Sequence, residues 1–214
     1  MKKVIFLLVI IVAVSCKEAV KGNDLYFENP QPINDSELNS IPNKFLGLYK
    51  DEDSVFLKID KDIITKYRFG KVRIHKTEFD SLKTEFDFIN GKLIDRKTKA
   101  AFEMRKVGDS LELSNKDIDT IFQFSDAQKA KRSNGDLILN FKNDGYWQVN
   151  ILSLENDFLN FKYLSVDDLP TIDSIMAKKS MMIDSSIYVL KPSKREFKKI
   201  LRKKMNSGFL YKKQ

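Results

Sequence analysis

DLILNFKNDGYWQVNILSLENDFLNFKYL, the stretch from Asp136 to Leu164, decides the fold class of this chain. It holds three apolar runs of strand length: Leu137 to Phe141, Trp147 to Leu154 and Leu159 to Tyr163. Asp144-Gly145 and Asn156-Asp157 separate them. Residues of these types tolerate the positive φ of tight turns, so the runs fold back on one another as consecutive antiparallel strands.

The same period of two extends upstream. Val55, Leu57 and Ile59 alternate with Phe56 and Lys58. Ile63, Thr65, Tyr67 and Phe69 form one run, and Val72 and Ile74 form another. Leu82, Thr84, Phe86 and Phe88 lead into Asn90-Gly91, a strong hairpin signal, and then into Leu93 and Ile94. Leu111 to Leu113 and Ile118 to Phe124 follow, with Asn115-Lys116 and Asn134-Gly135 read as turns. Many short strands with turn signals between them favour a sandwich or a barrel over a parallel α/β sheet. The expected class is mainly β (α+β). An antiparallel meander over residues 43–165 forms an open barrel or a sandwich.

After Ser165 the pattern changes. Asp168 to Lys178 reads as a short helix with Leu169, Ile172, Ile175 and Met176 on one face. Ile187 to Leu190 reads as a strand. Ser193 with Glu196 makes a capping box, and Phe197, Ile200, Leu201 and Met205 continue at helical spacing. Phe209 to Tyr211 reads as a last strand. Residues 166–214 are thus expected as a small helical C-terminal part packed on the β body.

The start of the chain is different in kind. Met1-Lys2-Lys3 precedes an unbroken apolar run of 11 residues, Val4 to Val14, and then Ser15-Cys16. A basic start, a short apolar stretch and small residues before a cut site make a secretory signal over residues 1–15. The run is too short to span a bilayer, which takes roughly 20 residues. Cys16 is the sole cysteine, so the exported domain has no internal disulfide and depends on its own core. Residues 16–42 carry Pro30, Pro32 and Pro42 among Asn, Asp and Ser. They read as an extended tether, although the apolar pair Tyr26-Phe27 gives part of it a means of docking.

The formal charge of +8 becomes +6 once Lys2 and Lys3 leave with the signal. From Lys191 to Lys213 ten basic residues face a single acid, Glu196, so the alkaline character belongs to the C-terminal segment. Lys198, Lys199, Arg202, Lys203 and Lys204 lie off the apolar face of the expected helix. They are candidates for contact with anionic headgroups. Nucleic acid is a poor partner, because the basic segment lacks interleaved stacking aromatics.

Motifs with catalytic associations lose their partners on inspection. Gly108-Asp109-Ser110-Leu111 resembles the name-giving motif of the GDSL esterases, whose serine needs a late Asp-x-x-His that this chain lacks. Gly-Asp-Ser reads instead as a turn between strands. His75 is the only histidine, and one histidine without a free cysteine builds no ordinary zinc site. The acidic groups Asp51-Glu52-Asp53, Asp117-Ile118-Asp119 and Asp167-Asp168 lack a calcium-loop pattern and read as turn residues. Eight glycines in 214 residues form no phosphate loop. Accordingly no catalytic residue, metal or cofactor is expected. Asp53-Ser54-Val55, Asp80-Ser81-Leu82, Asp109-Ser110-Leu111, Asp119-Thr120-Ile121 and Asp173-Ser174-Ile175 resemble the O-glycosylation sequon of exported Bacteroidota proteins. Most of them also suit the start of a strand.

Ala13-Val14-Ser15-Cys16 resembles the lipobox of bacterial lipoproteins. That resemblance implies a diacylglycerol on the Cys16 thiol, cleavage before it and acylation of the new amine. With it go two further passages, Phe27-Glu28-Asn29-Pro30-Gln31-Pro32 up to Gly47-Leu48-Tyr49, and Tyr188-Val189-Leu190-Lys191-Pro192-Ser193. Together they resemble the uncharacterised lipoproteins of Bacteroidota. The implied location is the cell envelope, at the outer membrane. The expected function is a non-catalytic lipid-anchored protein that presents its β-rich domain to another envelope component. Alternatives are a lipocalin-like binder of a small apolar ligand and a hydrolase without a recognisable motif.

Protein isolated from native membranes is expected to carry acyl chains on Cys16, and Cys16→Ser to move it to the soluble fraction. A free thiol in the intact-mass spectrum, with release by buffer alone, would contradict the anchor.

Overall fold

The computed structural model describes residues 25–184, 187–203 and 207–214. The signal peptide and Cys16 lie outside them. The elements, in chain order, are β1 (Leu25–Phe27), β2 (Gly47–Lys50), β3 (Phe56–Ile59), β4 (Ile63–His75), α1 (Phe79–Leu82), β5 (Phe86–Ile89), β6 (Lys92–Asp95), β7 (Ala101–Val107) and β8 (Ser110–Gln123). Then come β9 (Gln128–Ser133), β10 (Asp136–Asn143), β11 (Tyr146–Glu155), β12 (Phe158–Tyr163), α2 (Leu169–Ile175), β13 (Met181–Asp184), β14 (Ile187–Leu190), α3 (Lys194–Leu201) and β15 (Ser207–Lys213). The chain is mainly β, in one large mixed sheet that is not closed. Among the described residues, every strand pairing is antiparallel except that of β1 with β14.

Nine strands, in the order β9-β10-β11-β12-β15-β2-β3-β4-β8, build the body. All nine send side chains into one buried cluster, which includes Tyr49, Leu57, Ile64, Phe122, Ala130, Leu139, Leu152, Leu159 and Tyr211. A sheet can feed one cluster from nine successive strands only by curling around it. This is the open-barrel form of the expected meander. Ile41 and Phe45, from the segment before β2, close one end of the curl.

The three hairpin strands of the opening stretch form as their pattern predicts. β10 pairs with β11 from Leu137↔Leu152 to Asn143↔Tyr146, and β11 pairs with β12 from Asn150↔Tyr163 to Glu155↔Phe158. Asp144 and Asn156 take positive φ at the two turns. β11 is buried on both faces. Leu152 points into the curl, whereas Trp147, Val149 and Ile151 point outward into a second cluster. There they meet Leu169 and Ile172 of α2, Phe197 and Ile200 of α3, and Leu25 and Phe27 of β1. The Phe27 and Phe197 rings meet edge-on, 5.8 Å apart. α3 starts as predicted: Ser193 and Glu196 form the capping box.

Beyond the body, β4 and β8 continue as a long two-stranded arm that carries β5, β6, β7 and α1. One side of the arm buries Ile74, Leu82, Phe86, Leu93 and Leu113. The other carries Arg73 paired to Glu112 at 3.2 Å, with exposed Phe69 and Ile118 toward the body.

Several expectations need correction. Residues 25–42 are not a solvated tether. β1 lies in the sheet between β14 and β11, and Gln31 and Ile41 are buried. Two side chains on the outer face of β9 and β10 hold this segment. Asn140, fully buried, accepts from the Gln31 backbone N–H at 2.6 Å and donates to the Gln31 carbonyl at 2.9 Å. Lys131 donates through Nζ to the Pro30 and Pro32 carbonyls at 3.1 and 3.0 Å, and its burial pushes the ammonium below the usual lysine range.

Asn115-Lys116 is not a turn. β8 runs straight through it opposite Gly70 and Phe69, and β4 is likewise one strand rather than two runs. The Lys116 ammonium sits 3.7 Å from the centre of the Tyr67 ring, an attraction that suits a lysine in an exposed strand. The alternation at Leu82 and Thr84 does not mark a strand. Ser81 and Thr84 donate through their hydroxyls to the Glu78 and Ser81 carbonyls, which holds the chain in helical turns until β5 begins at Phe86. α2 stops at Ile175, short of Lys178, because the Asp173 carboxylate takes the Ser180 N–H and hydroxyl and folds the chain back. α3 ends at Leu201, and Met205 lies outside the described residues.

Asn140→Ala is expected to lower stability by about 2–4 kcal/mol, because it leaves a buried N–H and a buried carbonyl of Gln31 unpaired. The urea-unfolding midpoint measures this. An unchanged midpoint would show that the segment is not held by Asn140.

Candidate functional site

The end of the curled sheet opposite Ile41 and Phe45 is open. There the inner faces of seven strands enclose a cup of about 310 Å³. Its wall is formed by Leu57 of β3, Lys66 of β4, Thr120 and Ile121 of β8, Phe141 of β10, Gln148 and Asn150 of β11, Phe161 and Tyr163 of β12, and Phe209 and Tyr211 of β15. The volume lies at the lower end of the range for small-molecule sites, roughly 300–1,000 Å³.

Alternation within each strand explains how the core opens into the cup. On β12 the inward residues run Leu159, Phe161, Tyr163 from floor to rim. On β11 they run from Leu152 to Asn150 and Gln148, and on β4 from Ile64 to Lys66. Each strand thus changes from aliphatic at the floor to aromatic or polar at the rim. A register shift between Ile64 and Thr65 marks an extra residue in β8, which bends that wall and brings both Thr120 and Ile121 to the cup. β15 closes against β12 at Gly208, where a Cβ would meet the Phe161 carbonyl at 2.7 Å. This close approach sets Phe209 beside Tyr163, with ring centres 6.2 Å apart. Phe209 is 48 % exposed, a large apolar side chain left at the rim.

The floor is dry. Tyr49 donates through its hydroxyl to the Phe45 carbonyl at 2.9 Å, and burial raises its phenol above the usual tyrosine range. Burial, helped by the Asp51 charge, pushes Tyr211 up to about 12. The wall contributes aromatic surface, amides, the hydroxyls of Thr120, Tyr163 and Tyr211, and one ammonium. These are groups that hold and orient a molecule.

A second cleft, of about 370 Å³, lies between residues 28–33 and residues 177–196. Its polar groups largely serve one another. Lys191 pairs with Glu28, and Glu196 accepts from the Ser193 N–H, the Ser193 hydroxyl and the Ala177 N–H at 2.8, 2.6 and 2.6 Å. Those bonds hold the Glu196 carboxyl below its usual range. Gln31 Oε1 is buried there without a partner.

Of the residues singled out from sequence, Cys16 and Lys204 lie outside the described residues. Lys199, Arg202 and Lys203 are exposed and Lys198 is half-buried on and just after α3, and none of them lines the cup. Gly108 takes a positive φ of 59° in the turn between β7 and β8. The ladder sets His75 opposite Ser110, a juxtaposition that the order of residues in the chain conceals. The imidazole Nδ1 is nevertheless engaged with the Thr77 hydroxyl at 2.8 Å, and Asp109 pairs with Lys76 at 2.7 Å. Two of the acidic groups serve a turn and a cap: Asp51 accepts from the Val55 N–H, and Asp168 from the Ser165 N–H. Asp117-Ile118-Asp119 is not a turn but lies within β8, where Asp117 faces Arg68 at 3.6 Å. Among the described residues, no cluster of three or more His, Cys, Asp or Glu could hold a metal ion. No helix among them is long and apolar enough to cross a membrane.

Sequence reading did not locate the cup. The available signal was polar residues on an inward register, Lys66 after Ile64 and Asn150 beside Leu152. Compared with known families, curated proteins and solved structures, the chain matches none.

Tyr211 makes the floor sensitive to high pH. Below pH 10 the folded and unfolded chains both keep the phenol proton. Between about pH 10 and 12 the unfolded chain loses it first, so this contribution to stability falls as pH rises. Tyr211→Phe is expected to flatten the decline of the urea midpoint across that window relative to the parent protein. Identical declines in the two would contradict a buried phenol.

Proposed function

We propose that the protein is a non-catalytic binding module that takes a small, mostly apolar molecule into the open end of its curled sheet. The lipid on Cys16 holds it at the cell envelope, on the outer membrane. The observation that carries this reading is the cup itself: an opening of about 310 Å³ walled by five aromatic and two aliphatic side chains, with a few polar groups toward its rim. Burial of apolar ligand surface, at roughly 25 cal/mol per Å², supplies affinity, and the polar groups supply orientation. A second reading keeps the β body as a surface for another envelope component. It is favoured by β13, an edge strand on which Met181, Met182 and Ile183 are exposed. Such an edge is a template for a further strand.

One preparation tests both. Native mass spectrometry on protein extracted from its own membranes is expected to show a bound small molecule that Phe161→Trp, by filling the cup, removes. A co-purified polypeptide lost on Met182→Lys would favour the second reading. Repeated absence of any added small mass, together with no displacement of an apolar fluorescent probe, overturns the first.

A further inference from the structure

We infer that the ligand of the cup is a single-chain amphiphile with a carboxylate head, and that Lys66 reads that head. The inference rests on the cup being a ligand site and specifies what the site takes. Lys66 is the one cation in the wall, and no Asp or Glu lines it. It follows Ile64 on the inner face of β4 and stands level with Leu57 of β3. Its ladder partner on β8 is Asp119, which is exposed, and the two form no ion pair within 4 Å. Lys58 and Lys129, also in the body, pair by contrast with Asp60 and Glu37, both at 2.7 Å.

An ammonium beside apolar walls loses hydration, and a bound carboxylate restores it through a charge-assisted hydrogen bond. The remaining wall suits an alkyl chain. Phe141, Phe161 and Tyr211 give it aromatic surface. Volume limits the chain. At roughly 30 Å³ per water-sized group, a cup of about 310 Å³ holds on the order of ten heavy atoms. A medium-length fatty acid meets both conditions and fits within the cup, whereas a two-chain lipid would leave most of its atoms outside it.

The test uses residues 16–214 with Cys16→Ser, so that no acyl chain of the protein competes for the cup. Octanoate and octan-1-ol are titrated by calorimetry into this protein and into Lys66→Gln and Lys66→Arg. The parent is expected to bind octanoate about tenfold more tightly than octan-1-ol, with the margin shrinking as salt rises. Lys66→Gln loses the margin and keeps octan-1-ol affinity, which shows that the cup is intact. Lys66→Arg retains the margin. Equal affinity for the two compounds in the parent, or a margin that survives in Lys66→Gln, overturns the role of Lys66 while leaving a ligand cup. Binding of neither compound, with the thermal unfolding transition in place, overturns both the cup and its ligand.

Discussion

β11 must be covered on both faces, and the rest of the molecule is arranged to do it. Most strands of an antiparallel sheet keep one face in water. β11 instead places Leu152 on one side and Trp147, Val149 and Ile151 on the other, all buried. The first side is covered because the sheet curls until its other strands face β11. The second is covered by α2 and α3, and β1, paired beside β11, adds Leu25 and Phe27 to the same cluster, which explains why the C-terminal helices and the segment ahead of β2 converge on the same place. The parallel pairing of β1 with β14 follows from this. β1 pairs with β11 at Phe27↔Trp147 and β14 pairs with β1, so the two short strands extend the sheet beside Trp147. Asn140 and Lys131 then fasten the loop after β1 to the strands behind it.

How much of this was legible depended on whether a segment used alternation or tertiary contacts. The hairpins of β10, β11 and β12 were plain, because apolar runs and turn residues agreed. α3 was plain for a similar reason, since its cap and its apolar spacing coincide at Ser193. β9 was not, because its inward residue is small Ala130 and its outward Lys131 is buried against carbonyls, which reverses the usual sense of lysine. β1 was hidden in a proline-rich passage, where three residues are too few to show a period. β8 was cut in two at Asn115-Lys116 because those residue types signal turns, yet pairing with β4 overrides their local preference.

The cup was the least legible feature, and for a physical reason. A strand with apolar residues on both faces does not announce which face points inward. Gln148 and Asn150 therefore look like the solvent side of β11 until the curl shows that they rim an opening. Lys66 has the same ambiguity in a strand whose outward residues, Thr65 and Tyr67, are no more polar than expected of an exposed face. Once the curl is known, these polar positions fall at one end of an apolar interior, while Ile41 and Phe45 stop the other. A barrel stopped at one end and open at the other is a container, and its contents are set by the side chains near the opening.

The most direct measurement of where a ligand sits is a set of intermolecular NOEs from octanoate carrying a ¹³C-labelled terminal methyl. The account predicts contacts from that methyl to the ring protons of Phe141 and Phe161. Contacts confined to apolar side chains outside the cup, such as Phe69 or Phe88, would contradict it.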